Sequence, residues 1–311
     1  NGVRIHNSTR NVIALNSISS KRYGIYISGS YGNNVTSNNI TSSYYGIYFD
    51  GSQRNYAIAN DVSYDNNHGL FLNMSSNNTI TDSNASFNKQ NGIYLRYSDN
   101  NIFYLNNCSM NKLDGIRIDD SKNNTLMNCT AAFNAKKGIE VTRGNDFNII
   151  GCTAINNSCG IYLYESGNIT VIESATFLNN ECGIKVYNTI GSALIGNNAS
   201  KNLENGIEFS KGNSRDNEVR ENYAAYNHKN GILLISLTYS NITGNNASNN
   251  GINASIGGRG IVLIESNNNS IIKNNIKYNR ISGSSIERSS NNSITGNIAE
   301  GNLGGGIVLL D

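Results

Sequence analysis

The 311-residue chain contains no proline and no tryptophan. At ordinary usage a chain of this length carries about 15 prolines. Proline cannot donate a ladder hydrogen bond, so it is excluded wherever both edges of a strand are paired. Its complete absence predicts backbone bonded to neighbours on both sides almost throughout. Charge is also sparse. The 24 basic and 22 acidic residues are intermixed and leave a net charge of +2. No Lys/Arg run offers a footprint for nucleic acid. No apolar run approaches the 18 residues of a membrane span. Phosphate loops, dinucleotide fingerprints and Cys/His catalytic arrangements are missing too, and no cofactor is expected. The first residue is Asn1 rather than Met, as expected of a processed or partial chain.

Asparagine and glycine fill the space. There are 60 Asn and 31 Gly, residues that tolerate left-handed backbone and suit tight turns. A pattern of Gly, apolar, any residue, apolar recurs at Gly2, Gly24, Gly46, Gly69, Gly92, Gly115, Gly138, Gly160, Gly183, Gly206, Gly231, Gly260 and Gly306, with a degenerate copy at Gly283. The steps are 22 to 25 residues, apart from one of 29. About ten residues after each anchor comes a second short strand signal, such as Asn78-Thr79-Ile80 or Asn124-Thr125-Leu126. A third follows about five residues later, such as Asn107-Cys108 or Asn246-Ala247. Fixed period, three strand signals per repeat and no helical period together predict an all-β, single-stranded parallel β-helix of about fourteen coils. Parallel crossovers are nearly always right-handed, which sets the expected hand. One coil buries too little to stand alone, so stacking at about 4.8 Å must supply the core. The expected domain is a single one over 1–311, with a loop inserted around 249–259 at the long step.

Residues one and three after each anchor, such as Ile25/Ile27 and Ile161/Leu163, are expected to point inward, and the turn asparagines to stack as amide ladders. Position two forms an outward stripe. Its aromatics Tyr26, Tyr48, Phe71, Tyr94 and Tyr162 are candidates for a sugar-binding platform, a protein contact or a plain ladder. Leu233, Ile235, Val262, Ile264, Val308 and Leu310 predict an exposed apolar patch for association. Arg96, Arg117, Asp119, Asp120 and Glu140 lie on consecutive coils. Two carboxylates are the minimum for glycoside hydrolysis, so these are the candidate catalytic groups. Cross-strand ion pairing is the simpler use of alternating charge.

His6, His68, His228, Met74, Met110 and Met127 fall at different repeat phases, and no metal site is expected of them. Cys159 and Cys182 each precede an anchor on adjacent coils, which places their Cα atoms within disulfide reach. Cys108, Cys129 and Cys152 should stack inward as small hydrophobes. Of 17 Asn-x-Ser/Thr sequons, Asn34, Asn73, Asn168, Asn241 and Asn253 are candidate glycan acceptors, which weakly favours an exported protein.

Asn91-Gly92-Ile93-Tyr94-Leu95 and Asn205-Gly206-Ile207-Glu208-Phe209 carry a resemblance that spans the whole chain. The repeat resembles the NosD-like, carbohydrate-binding and sugar-hydrolase (CASH) group of right-handed parallel β-helices, and its Asn/Tyr/Ser-rich texture is most similar to archaeal cell-surface members. The resemblance implies an extracellular or cell-surface location, with a periplasmic one as alternative. It implies a structural, envelope-forming solenoid, or else a polysaccharide-binding module, lyase, hydrolase or epimerase. The expected partners are polysaccharide or envelope components. Strands that run to both ends also suggest further copies of the chain, joined as an oligomer or filament.

Overall fold

The computed structural model describes residues 1–210, 212–252 and 257–311. All regular elements among them are β-strands. The chain forms two compact units, Asn1–Ala154 and Ile155–Asp311.

In the first unit, seven strands pair in parallel, each with the next coil: Val3–His6, Tyr23–Ser28, Tyr45–Asp50, Leu70–Asn73, Ile93–Arg96, Ile116–Asp119 and Lys137–Thr142. The register advances by one repeat per rung, as in Ile93 opposite Ile116 and Leu95 opposite Ile118. A second parallel sheet runs from Val12–Ala14 to Asn148–Ile150. The third side begins with Ser17–Ser19, Asn39–Thr41 and Asp61–Ser63, then continues as single bridges such as Asn84 to Asn107 and Asn107 to Thr130. The second unit repeats this plan. Its first sheet runs from Cys159–Tyr164 to Ile307–Leu310, its second from Thr170–Ile172 to Ser293–Thr295, and its third side is made of single bridges. These are the three strands per coil that the repeat predicts.

The core follows the alternation. Ile25, Ile27, Ile47, Phe49, Ile161, Leu163, Ile184 and Val186 are all fully buried. Cys108, Cys129 and Cys152 are buried on the third side, but the register Asn107–Thr130–Thr153 sets Cys108 one residue after the bridge and Cys129 and Cys152 one before, so the three do not form a single ladder. The asparagines form continuous ladders. Asn33, Asn55, Asn78 and Asn101 each send backbone N–H and side-chain Nδ2 to the Oδ1 of the asparagine one coil on, at 2.8–3.1 Å. Asn202, Asn227 and Asn250 do the same in the second unit. Most buried amides in these ladders are thereby paired, which is what keeps so polar an interior stable.

The anchor glycines are required for space. A Cβ on Gly206 would stand 2.6 Å from the Ala199 carbonyl oxygen and 2.7 Å from that of Gly231. The left-handed turns, by contrast, hold mostly side chains, including Leu15, Tyr64, Phe87 and Phe133 at φ of 57–60°. At the long step, Arg280 N–H bonds the Asn250 carbonyl and Ile281 N–H bonds that of Gly258. Gly251 N–H still bonds the Asn227 carbonyl, so the coil runs on to Gly251 and is in place again at Gly258.

Candidate functional site

The outer face of the first sheet in the first unit carries an aromatic ladder. Tyr48 and Phe71 stack at 4.8 Å with planes 16° apart, and Phe71 and Tyr94 at 4.9 Å with planes 4° apart. Tyr26 lies 5.4 Å from Tyr48. The residues just before the anchors thicken the ladder. Tyr23 stacks on Tyr26 at 4.7 Å, Tyr45 on Phe71 at 5.7 Å, and His68 lies 4.9 Å from Tyr94. Their shared place before a glycine was the signal for this second row. The facing surfaces of Tyr48, Phe71 and Tyr94 are taken up by the neighbouring ring. Tyr162 belongs to the second unit, 6.0 Å from Tyr164, which stacks on Tyr187 at 5.0 Å.

His68 is buried, and its Nδ1 accepts from the Asn91 N–H at 3.2 Å. Burial, with the nearby Arg117 charge, pulls its pKa down to about 3, so the ring is neutral.

Beyond Tyr94 the face turns ionic. Arg117 Nε donates to Asp119 Oδ2 at 3.1 Å and its Nη1 to Glu140 Oε2 at 3.3 Å, and Nη1 lies 3.6 Å from Asp114 Oδ2. Tyr94 donates its hydroxyl to Asp119 Oδ2 at 2.9 Å, and Lys137 Nζ lies 3.5 Å from Glu140 Oε1. Three carboxylates thus converge on one guanidinium. Asp114, absent from the candidates drawn from the sequence, is the deepest, and only the register shows its part. Burial and the Glu140 charge push its carboxyl up to about 6. Burial and the Asp119 charge push the Tyr94 hydroxyl up to about 12.

Arg117, Asp119 and Glu140 are brought together; Asp120 and Arg96 are not. Asp120 has φ of 50°, so the chain turns there and its side chain leaves the face. It meets Arg143 through two bonds of 2.6 and 2.9 Å, which hold its carboxyl below the usual range. Arg96 is exposed and lies 4.9 Å from the Tyr97 ring.

Two expectations for the second unit change. Cys159 and Cys182 form no disulfide. Cys159 Sγ donates to the Ile161 carbonyl at 3.6 Å and Cys182 Sγ to Glu208 Oε2 at 3.1 Å. The apolar patch is also broken. Val262 is only 1 % exposed, in register between Leu233 and Ser285. Leu233, Ile235, Ile264 and Val308 are half-buried, and Leu310 is exposed. Of the glycan acceptors, Asn168 and Asn241 are exposed. Asn34 accepts from Thr36 Oγ1, and Asn73 donates to Asp50. Asn253 lies outside the described residues.

The family described as "Right handed beta helix region" matches residues 1–96 and 23–177. That described as "Periplasmic copper-binding protein (NosD)" matches residues 130–259 and 212–311. No curated protein matches by sequence. Similar solved structures include the A-module of the Azotobacter vinelandii mannuronan C-5 epimerase AlgE6, at 13 % identity and a TM-score of 0.57, covering 97 % of this chain and 90 % of that one. The periplasmic alginate epimerase AlgG aligns at 15 % identity and 0.57 over 92 % of this chain and 77 % of its own. The Dettilon tailspike protein aligns at 12 % and 0.55 over 74 % of this chain and 61 % of its own. At these identities the likeness carries the fold alone.

Copper calls for converging His, Met or Cys. Among the described residues, one group of three potential ligands has its donor atoms within 4.8 Å: Cys182, Glu204 and Glu208. It contains neither His nor Met. Glu208 already accepts from Cys182, Asn205, Ser210 and Lys185 at 2.8–3.2 Å, and Glu204 from Lys229 at 2.7 Å. One thiol with two lysine-paired carboxylates does not fit copper. Among the described residues no helix is long and apolar enough to cross a membrane.

Proposed function

The chain belongs to the right-handed β-helix family and, over residues 130–311, to the NosD family, and from that premise we propose that it is a non-catalytic solenoid scaffold of the cell envelope. Its site is extracellular or periplasmic, in keeping with the periplasmic protein that gives the second family its description. One observation carries the reading. The groups that would perform sugar chemistry on the first sheet are committed to each other, with Arg117 shared among Asp114, Asp119 and Glu140. Tyr94 closes the same cluster from the ladder. Such a network fixes register between coils, a use for which buried ionic groups are well suited.

The experiment is an activity screen on mannuronan, polygalacturonan and neutral glucans. It follows reducing ends, unsaturated products and solvent deuterium entering at C5, beside fractionation of the native host. The expected result is no turnover and recovery with the envelope or the medium. Turnover that disappears in Asp119→Ala would replace the scaffold with a polysaccharide lyase, hydrolase or epimerase.

A further inference from the structure

We propose that a turn of the second unit holds a pyranose ring bearing an acidic group, in the gap between Tyr226 and Tyr278. This goes beyond the scaffold reading and does not depend on it. Tyr226, Asn249 and Tyr278 occupy the same left-handed turn position on three successive coils, with φ of 58°, 58° and 55°. Their N–H groups bond the carbonyls of Ser248, Lys277 and Glu300, each one coil further on. In the first unit this row is filled on adjacent coils. Tyr64 and Phe87 stack there at 4.8 Å with planes 4° apart. In the second unit the middle rung is Asn249, so the two tyrosines stand two coil steps apart, on the order of 9–10 Å.

Beyond the short Asn249 side chain the row is open, and a ring entering there would have Tyr226 on one side and Tyr278 on the other. Tyr278 is 58 % exposed and packs against Gly301, where any Cβ would meet its ring. A cavity of about 410 Å³ opens here, walled also by Ile252, Arg280 and Leu303. Among the described residues its lining contains one cation, Arg280, and no acid. Arg280 makes no ion pair among the described residues. Ring faces suit the apolar face of a pyranose, Asn249 suits its hydroxyls, and the guanidinium suits a carboxylate or sulfate on it. An aromatic side chain from a protein would leave Asn249 and Arg280 unmet.

Calorimetric titration of the whole chain with tetragalacturonate and with neutral cellotetraose tests this. The wild type is expected to bind tetragalacturonate at least tenfold tighter than cellotetraose. Asn249→Tyr fills the rung with a ring that Tyr226 and Tyr278 show the backbone accepts. It should weaken tetragalacturonate binding at least tenfold while leaving the thermal midpoint equal or higher. Arg280→Gln should bring the acidic tetramer down to the level of the neutral one. Equal or absent binding of both sugars by the wild type would overturn the proposal. So would undiminished binding by a folded Asn249→Tyr.

Discussion

Tyr94 and Asp119, one coil and 25 residues apart, meet through a 2.9 Å bond from the phenol to Oδ2. This bond joins the aromatic ladder to the ionic cluster, and Arg117 holds the same oxygen from the other side.

Removing Arg117 leaves three largely buried carboxylates around a hole. Arg117→Met should lower unfolding free energy by about 3 kcal/mol, because unpaired buried charge is costly. Urea unfolding with an unchanged slope checks this. Tyr94→Phe, which deletes one hydrogen bond, should cost about 1 kcal/mol.

Asp65 takes an asparagine's place in a ladder. Its Oδ1 accepts from the Ser43 N–H at 2.7 Å, while Oδ2 and Asn88 Nδ2 have no partner. Burial pushes its pKa up to about 8 from 3.8. The folded state therefore binds the proton more tightly than the unfolded one, and this group's contribution to stability falls as pH rises from about 4 to about 8. Asp65→Asn should stabilise the protein by about 2 kcal/mol at pH 8, with the advantage shrinking towards pH 4. A difference that does not change with pH in thermal melts would contradict it.

Gly206→Ala should destabilise by about 3 kcal/mol, because a Cβ there meets two backbone oxygens that cannot swing aside. Gly296→Ala is the control. That residue lies at φ of 65° with its nearest neighbour 3.4 Å away, so it tests left-handed strain alone and should cost about 1 kcal/mol. Melting temperatures of the pair would rank the two effects.

Asn222→Ala interrupts a ladder. Asn222 donates from Nδ2 to Asn245 Oδ1 at 3.0 Å and to the Leu194 carbonyl at 2.8 Å, and its Oδ1 accepts from Asn197 N–H and Nδ2. The loss strands donors and an acceptor on two coils and should cost about 3 kcal/mol. Local opening would appear as faster amide exchange at Asn197.

The thiols give a direct count. Titration of the unreduced, denatured protein should find five free thiols. Three would mean that one pair, Cys159–Cys182 or Cys129–Cys152, is bridged, and peptide mapping would say which.

The sequence by itself determined the stack. A period of about 23 residues, glycine anchors, alternating apolar pairs such as Ile93 and Leu95, and a complete lack of proline admit few other arrangements, because a parallel ladder requires the same residue type at the same phase on every coil. Tertiary structure alone decided what the outer face does with its side chains. Asp119 and Asp120 are neighbours in the chain, yet one joins Arg117 and the other turns away to Arg143. Tyr48, Phe71 and Tyr94 cover one another's faces, whereas Tyr226 and Tyr278 stand apart. The pattern assigns a residue to inside or outside through backbone geometry. Which ring shields which, and which charge finds which, is settled by distances of a few ångströms between coils, and these depend on rotamers and turns that the period leaves free.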